Sequence, residues 1–397
     1  MTLPASGYLL SIRILLLSTL ISAAAYVDAA AGILPGDING DYAVTLDDAV
    51  ASLQIVAGLA PAPLNPGGDV DGDSRLGVAE TIYVLQVVSG RIASIPFNLF
   101  AVGDSISEGE AAEGDIGAAH HESVWSSGYD ANFGPDRASL NERLENRYPE
   151  VFQANAAGAL DTVFNHARSG ATMADFLNQV AGTQTVTGVI DAAEQNSEAG
   201  KVGLLTIMLG SNDVCTGDVS EPMTDLVQFA LDFEAGLDAL ADSPVTRNAH
   251  IHVVGIPAIY WLWQAKRSRI WCLLAWLAVP CQNLLSDAST MDCANSTSHL
   301  EPDTIYEGQD TGACLRRKEF HRDIKEYNRI LADTVAEYRG NGRLPNIFFT
   351  DIYNIQFGDE DVNNGDCFHP SLAGQARLAQ EAWCRAPWGE NDPFCSP

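Results

Sequence analysis

The stretch that decides the fold is Phe100-Ala101-Val102-Gly103-Asp104-Ser105-Ile106-Ser107-Glu108-Gly109. Its apolar half continues a run that starts at Phe97 and has the length of a buried strand, and the run ends abruptly in small polar residues. Open α/β sheets bind ligands at the edge where parallel strands end. Ser105 is therefore a candidate nucleophile, although Asp-Ser after a strand is often only a helix cap.

Three later segments repeat this pattern of a strand-like run followed by a short polar motif. The runs are 162–166, 202–209 and 346–350, and the motifs are Ala167–Thr172, Gly210-Ser211-Asn212-Asp213 and Asp366-Cys367-Phe368-His369. In the order Ser, Gly, Asn and Asp-x-x-His, these motifs resemble the SGNH (GDSL-type) hydrolase family. The resemblance covers about Pro96 to the C-terminus.

This resemblance implies a role for each matching residue. Ser105 would be the nucleophile, His369 the general base and Asp366 the residue that orients His369. The N–H groups of Ser105 and Gly170 and the side chain of Asn212 would form the oxyanion hole. With a further strand-like run at 251–255, the sequence predicts a three-layer α/β/α domain over residues 96–397, with a five-stranded, mainly parallel sheet.

The chemistry of these residue types agrees with the resemblance. A serine hydroxyl needs a base within hydrogen-bond reach, and the base needs an acceptor that orients it. Asp366 and His369 are three residues apart, so one turn brings the carboxylate to the imidazole. An asparagine amide and a glycine N–H can stabilise an oxyanion without a charge, and no cofactor is expected for catalysis.

An internal repeat lies upstream of this domain. Asp37-Ile38-Asn39-Gly40-Asp41 recurs as Asp69-Val70-Asp71-Gly72-Asp73, at a shift of 32 residues from 37 to 69. Each copy leads to an acidic residue at loop position 12 and then to an apolar-periodic helix, as in an EF-hand-like calcium loop. The glycine is at position 4 instead of position 6, which departs from the standard EF-hand.

Two such units resemble a type I dockerin module, a small all-α domain predicted over residues 36–92. The resemblance implies two calcium ions held by side chains or backbone carbonyls of Asp37, Asn39, Asp41, Ala43, Asp48, Asp69, Asp71, Asp73, Arg75 and Glu80. It also implies a cohesin-like scaffold as a partner. The residues at positions 10 and 11, Leu46-Asp47 and Val78-Ala79, do not match the Ser/Thr pairs of the best-known cellulosomal examples.

The N-terminus and the charge indicate where the protein acts. Residues 1–31 predict a secretory signal, with Arg13 before a short apolar run and small residues at Ala29-Ala30-Ala31; an uncleaved anchor is the alternative. Asp and Glu number 52 against 22 Lys and Arg, a net charge of −30, which excludes nucleic acid as a partner. We expect a secreted protein, with the cell surface or periplasm as alternatives.

All 8 cysteines lie from Cys215 onward, and an even number in an exported chain favours disulfides. Sequence neighbours suggest the pairs Cys272–Cys281, Cys293–Cys314 and Cys384–Cys395. Cys215 and Cys367 would then form a fourth bridge between the oxyanion loop and the loop that carries the base. The alternative for these two residues is a pair of buried free thiols.

Two further features bear on the substrate. The span 260–281 contains four tryptophans and a basic cluster, and predicts either an interfacial lid or acyl-chain site, or a helix packed on the core. The motifs around Cys215 and Cys367 and the sequence Trp125-Ser126-Ser127-Gly128 are similar to the phospholipase B branch of the family.

The predicted function is hydrolysis of a carboxylic ester through an acyl-serine. The substrate is either a lipid ester, which the tryptophan-rich span favours, or an acylated carbohydrate, which the dockerin-like module favours. A third hypothesis is a non-catalytic, calcium-dependent carbohydrate- or scaffold-binding protein that retains the hydrolase fold.

Overall fold

Four of the predicted strands pair into a single parallel sheet. They are β1 (Leu99–Gly103), β2 (Leu204–Met208), β3 (His250–Val254) and β4 (Ile347–Thr350), in the spatial order β1-β2-β3-β4. The register aligns Phe100 with Leu205, Leu205 with Ile251, and Ile251 with Ile347. All four strands therefore end at the same edge of the sheet.

A computed structural model describes residues 34–41, 43–61, 63–71, 73–89, 91–92, 96–129, 139–149, 152, 164–195, 202–215, 223–278, 281, 285–389, 392 and 395. The described residues belong to one unit, Ile33–Pro397. The predicted signal segment, residues 1–31, lies outside the described residues.

The predicted fifth strand, 162–166, is reduced to one bridge in the described part of the chain. Asn165 pairs in parallel with Ala101, and the N–H groups of His166 and Arg168 donate to the carbonyls of Ala101 (2.8 Å) and Gly103 (3.0 Å). This segment lies on the free side of β1. The described sheet thus has four strands instead of five, because pairing here does not extend over consecutive residues.

Helices connect and cover the strands. They are α1 (Leu46–Val56), α2 (Val78–Val88), α3 (Ser105–Glu108), α4 (Leu140–Arg147), α5 (Phe176–Ala181), α6 (Val189–Gln195), α7 (Ser211–Val214), α8 (Leu226–Asp242), α9 (Ile259–Lys266), α10 (Ile270–Ala275), α11 (Gly312–Gly340) and α12 (Leu372–Arg385).

Alternation along the strands sends side chains into two apolar layers, one on each face of the sheet. Phe100, Leu205 and Ile251 pack with residues of α5, α8 and α11. Leu99 and Leu204 pack on the other face with residues of α4 and α12. Helices therefore cover both faces, in the three layers that the sequence predicts.

The first two helices pack against each other as an N-terminal pair, as the repeat predicts. Thr45 caps α1, and the carboxylate of Asp48 accepts a hydrogen bond from the Thr45 N–H at 2.8 Å. Glu80 occupies the same position, the third residue of the helix, in α2 and accepts from the Gly77 N–H at 2.5 Å. Each repeat therefore uses its last loop residue to start its helix.

This helix pair borders the edge of the sheet that lies opposite the carboxyl ends of the strands. A cavity of about 710 Å³ is lined there by Leu46 and Val88 from the pair, and by Gly203, His250 and Ile347 at the starts of β2, β3 and β4. Any ligand of the N-terminal pair would therefore bind far from the edge that carries Ser105.

All eight cysteines are paired, but two of the predicted pairs are wrong. Cys293–Cys314 and Cys384–Cys395 form as predicted. Instead of Cys272–Cys281 and Cys215–Cys367, the structure has Cys215–Cys281 and Cys272–Cys367, with Cα–Cα distances of 4.5 and 5.3 Å.

Tertiary packing explains this exchange. The Nε1 of Trp276 donates to the carbonyl of Cys367 at 2.8 Å, which places the C-terminal end of α10 directly beside Cys367. Cys272, on the same helix, then meets Cys367. The free energy of loop closure rises only by about 0.6 kcal/mol for each doubling of loop length. The shorter loop of a Cys272–Cys281 bridge would therefore have lowered the closure cost only slightly.

The tryptophan-rich span is buried in part and exposed in part. Trp263 and Trp276 are fully buried, whereas Trp271 is 58% exposed and Leu274 is 57% exposed on α10. One side of the span therefore belongs to the core, and the other is an apolar surface. Among the described residues, no helix has the length and apolar character needed to cross a membrane.

Candidate active site

Ser105 is held at the carboxyl end of β1 by a tight strand-to-helix turn. Asp104 caps α3 by accepting the N–H of Ile106 at 3.0 Å, so Ser105 is the first helical residue and its own N–H has no partner within the helix. Gln179 brackets Gly103, accepting its N–H at 2.9 Å and donating to its carbonyl at 2.8 Å. A Cβ at Gly103 would lie 2.6 Å from the carbonyl oxygen of Met208, so the turn requires glycine.

Three predicted residues meet at this point. The Oγ of Ser105 lies 2.9 Å from the Nε2 of His369, and the Nδ1 of His369 lies 2.7 Å from the Oδ2 of Asp366. The other oxygen of Asp366 accepts the N–H of His369 at 3.2 Å, which fixes the carboxylate within its own loop. With Nδ1–H donating to Asp366, Nε2 is free to accept the proton of the serine hydroxyl.

Asn212 lies beside Ser105, and a hydrogen bond connects it to the segment of Gly170. Asn212 is the second residue of α7, which follows β2. It lines the same pocket as Ser105 and donates from Nδ2 to the carbonyl of Ala171 at 2.9 Å. That bond places Asn212 beside Gly170. Gly170 has φ +79°, a left-handed conformation that L side chains rarely adopt, which explains the glycine.

Two buried carboxyl groups support this region. Burial raises the pKa of Asp104 to about 6, against the lowering effect of the hydrogen bond from Ile106. Burial also raises the pKa of Asp213 to about 6, and its Oδ2 accepts the N–H of Met173 at 2.8 Å. Asp213 therefore ties α7, which carries Asn212, to the segment that follows Gly170.

The model of the family described as GDSL-like lipase/acylhydrolase matches residues 99–382 of this chain. The chain belongs to this family. Its members are acylhydrolases, so the protein is a carboxylic ester hydrolase by family. The match begins at the first residue of β1 and includes all four strands and the residues that meet at their carboxyl ends.

The other comparisons add little to this assignment. No curated protein matches this acylhydrolase significantly in sequence. The solved structures that are similar to it include one described as "The active site of a carbohydrate esterase displays divergent catalytic and non-catalytic binding functions". The similarity covers 74% of this chain and 70% of that chain at 12% identity, with a TM-score of 0.34, and is too weak to bear on function.

The structure of the acylhydrolase adds site residues that the sequence reasoning missed. Glu110 lies with Oε2 3.7 Å from the Nε2 of His369. Gln375 connects two parts of the site, because its Nε2 donates to the carbonyl of Ile106 and its Oε1 accepts the N–H of Trp125. Glu110 could have been suspected from its place directly after the motif stretch, but Gln375 and Gln179 carry no local signal.

The predicted calcium ligands lie in two loops that suit a divalent cation. Carboxylate oxygens of Asp69, Asp71 and Asp73 lie within 4.8 Å of one another. Asp48 and Glu80, the residues at position 12, are buried, and burial raises the pKa of Asp48 despite three backbone N–H donors. Carboxylates so crowded or so buried are the ligands that Ca²⁺ prefers.

In the first loop, the remaining side-chain ligands follow the same pattern. Asp37 accepts the N–H groups of Gly40 (2.8 Å) and Asp41 (3.1 Å), and the side chain of Asn39 accepts the N–H of Asp41 at 2.9 Å. At position 7, the N–H of Ala43 donates to Asp41, and that of Arg75 donates to Asp73 in the second loop. In both loops, side-chain oxygens therefore accept backbone N–H groups of their own loop.

A second acidic cluster lies in the loop after Ser105. The Nε2 of His120 lies 2.5 Å from Asp115, and its Nδ1 lies 3.3 Å from Glu122. Partial burial lowers the pKa of His120, but the hydrogen bonds that its ring donates to Asp115 and Glu122 outweigh this effect and leave the pKa raised. Both ring nitrogens have carboxylate partners, so this cluster fastens the loop that carries Glu110.

Proposed function

We propose that this protein is a secreted serine esterase that hydrolyses a carboxylic ester through an acyl-serine intermediate on Ser105. The observation that carries the proposal is the line of hydrogen bonds from the Ser105 Oγ through His369 to Asp366, with distances of 2.9 and 2.7 Å. In this arrangement His369 is within reach of the serine proton, and Asp366 orients the imidazole, as serine activation requires.

The proposed reaction has two steps. The Oγ of Ser105 attacks the carbonyl carbon while His369 takes its proton, and the alcohol leaves with that proton as the acyl–serine ester forms. Water then attacks the acyl-serine, His369 takes a proton from the water, and the acid is released as Ser105 regains its proton. In both steps the oxyanion would accept from the N–H groups of Ser105 and Gly170 and the amide of Asn212.

Two substrate classes remain within this proposal, a lipid ester and an acylated carbohydrate. The apolar surface around Trp271 and Leu274 supports the first, since their helix α10 is joined to the loop of His369 by Cys272–Cys367. The calcium-type repeat supports the second. Secretion is supported by the four disulfides, which form in oxidising compartments.

A mechanism-based inhibitor tests the proposed nucleophile. We expect a fluorophosphonate to form a bond from its phosphorus to the Ser105 Oγ with loss of fluoride, because His369 can accept the hydroxyl proton. Mass spectrometry should show the added mass on the peptide that contains Ser105, and hydrolysis of p-nitrophenyl acetate should stop in parallel. Heat-unfolded protein is the control and should remain unlabelled. An adduct on another residue, or none in the folded enzyme, would contradict the proposal.

We extend the proposal to the N-terminal helix pair, which would bind two calcium ions for stability and take no part in catalysis. The ligands would be the residues of the two loops described above. Support comes from the buried Asp48 and Glu80, whose negative charges a cation would balance, and from the position of the pair at the opposite edge of the sheet.

The helix pair also carries a duplicated apolar face that supports a scaffold domain of cohesin type as its partner. Val50 and Leu53 on α1 are each 51% exposed, and Ile82 and Leu85 in the equivalent positions of α2 are 53% and 46% exposed. Exposed apolar groups repeated in this way are typical of a binding surface.

Calcium removal should loosen this region selectively. In the full chain, we expect a chelator to increase amide hydrogen exchange across residues 34–92, since the loop carboxylates then repel one another. At 100 times its dissociation constant, each bound calcium ion should stabilise the pair by about 2.7 kcal/mol.

Hydrolysis of p-nitrophenyl acetate, measured in the same samples, should change little, and magnesium added in excess of the chelator serves as the ion control. Unchanged exchange on chelation would refute calcium binding. Loss of hydrolysis would refute the separation of the calcium loops from catalysis.

A further inference from the structure

A small apolar pocket opens beside the Ser105–His369 pair. One wall is the segment from Pro257 through Ala258 and Ile259 to Leu262, which follows β3 and enters α9. Another wall is Phe368, next to His369. Ser105 and Asn212 complete the mouth, so a group in this pocket would be attached directly to the reacting carbonyl.

The size of the pocket limits what it can accept. Its volume is about 50 Å³, and a single water needs roughly 10–15 Å³ of such space, so there is room for roughly three to five non-hydrogen atoms. The walls are held by the core, since Ala258 and Ile259 are both buried. A longer chain would have to displace these buried residues or extend beyond the pocket, and protein interiors resist the first.

The surroundings of His369 indicate which half of the ester enters this pocket. The Oε2 of Glu110 lies 3.7 Å from the Nε2 of His369. The Glu110 side chain is 24% exposed and is not part of the pocket wall. The oxygen of the leaving alcohol must take its proton from the Nε2 of His369. The alcohol half of the ester would therefore lie beside the carboxylate of Glu110. Burying an apolar chain beside this carboxylate is unfavourable, whereas the acyl substituent matches the apolar walls.

We propose that the pocket formed by Pro257–Leu262 and Phe368 binds the acyl group and restricts the enzyme to short acyl chains of about two to four carbons. This inference rests on the proposed serine esterase function and names its substrate class. One methylene in an apolar pocket changes discrimination by roughly 10- to 200-fold, so the pocket is sufficient to set the chain length.

The test uses the full chain and p-nitrophenyl acetate, butyrate, octanoate and laurate, each below its micelle concentration. We expect kcat/KM to fall at least about tenfold from butyrate to octanoate. Leu262→Ala should raise the octanoate-to-butyrate ratio by about fivefold or more, and Leu262→Trp should lower the butyrate-to-acetate ratio. Leu262 is only partly buried, so both variants should fold.

Leu231→Ala is the matched control, because it shortens an exposed leucine on α8 outside the pocket and should leave both ratios unchanged. Ethyl and octyl acetate separate the two halves of the ester: the alcohol chain should affect kcat/KM far less than the acyl chain. The opposite result would overturn the acyl assignment.

The remaining outcomes separate this inference from the function on which it rests. Octanoate or laurate hydrolysed as well as butyrate by the wild type would overturn the length limit and leave the serine esterase intact. Unchanged ratios in both Leu262 variants would overturn the location. If the folded wild type hydrolysed no ester at all, the proposed function itself would fail.

Discussion

Ser105→Ala should reduce kcat for p-nitrophenyl acetate by roughly 10⁴- to 10⁶-fold, and His369→Ala should have a similar effect. The hydroxyl of Ser105 is the group that lies 2.9 Å from the imidazole, and no other oxygen can form the acyl-enzyme if the proposed mechanism holds. Because the two residues act as one unit, the double variant should lose little more than either single variant. Initial rates with purified, folded protein provide the measurement.

Ser107→Ala is the matched control for this result. It removes the other serine of the same stretch, whose Oγ accepts from the Nε1 of Trp125 at 3.2 Å and does not contact His369 in the described structure. Losing that buried bond should cost about 1–3 kcal/mol of stability, while kcat stays close to that of the wild type.

Substantial activity in Ser105→Ala would contradict the mechanism. A folded wild type that binds polysaccharide but hydrolyses no ester would favour a non-catalytic binding protein.

Asn212→Ala should reduce kcat by roughly 10²- to 10³-fold, with a small change in KM. The hydrogen bond from its Nδ2 to Ala171 holds the amide in place, and the second N–H of that amide is the proposed oxyanion donor. Since the oxyanion exists only in the tetrahedral state, the loss should fall on kcat and not on substrate binding.

Asn212→Asp is the more severe counterpart of this variant. It keeps the size of the side chain but removes the donor and places a negative charge beside the oxyanion, so its kcat should fall below that of Asn212→Ala. Thermal unfolding of both variants identifies any loss that comes from the broken bond to Ala171. A tenfold rise in KM with kcat nearly unchanged would show that Asn212 binds substrate and is not an oxyanion donor.

The candidate site was largely predictable from the sequence because its residues occupy fixed places on a parallel sheet. Ser105 follows β1, Asn212 follows β2, and Asp366 and His369 lie beyond β4, so the sheet brings them to one edge. The helices could also be predicted, because the signals that start a helix lie in neighbouring residues. Ser371, for example, caps α12 by accepting the N–H of Gly374, and such caps depend on a few neighbouring residues.

Residues that act across the fold could not be predicted in this way. Glu110 approaches His369 across more than 250 residues of sequence, and nothing near either residue encodes the contact. The narrow pocket depends on how the segment after β3 packs against the loop of His369. Side-chain packing between loops is decided by the shape of the whole core, which no local periodicity describes.

The cysteines show both what local sequence predicts and what only contacts across the fold decide. By itself, the sequence determined that disulfides would form, and it predicted the two pairs that close short loops, Cys293–Cys314 and Cys384–Cys395. Only the tertiary structure decided that Cys272 bridges to Cys367, 95 residues away, and Cys215 to Cys281, 66 residues away. Loop-closure entropy depends so weakly on length that the packing of α10 beneath the loop of His369 outweighs it.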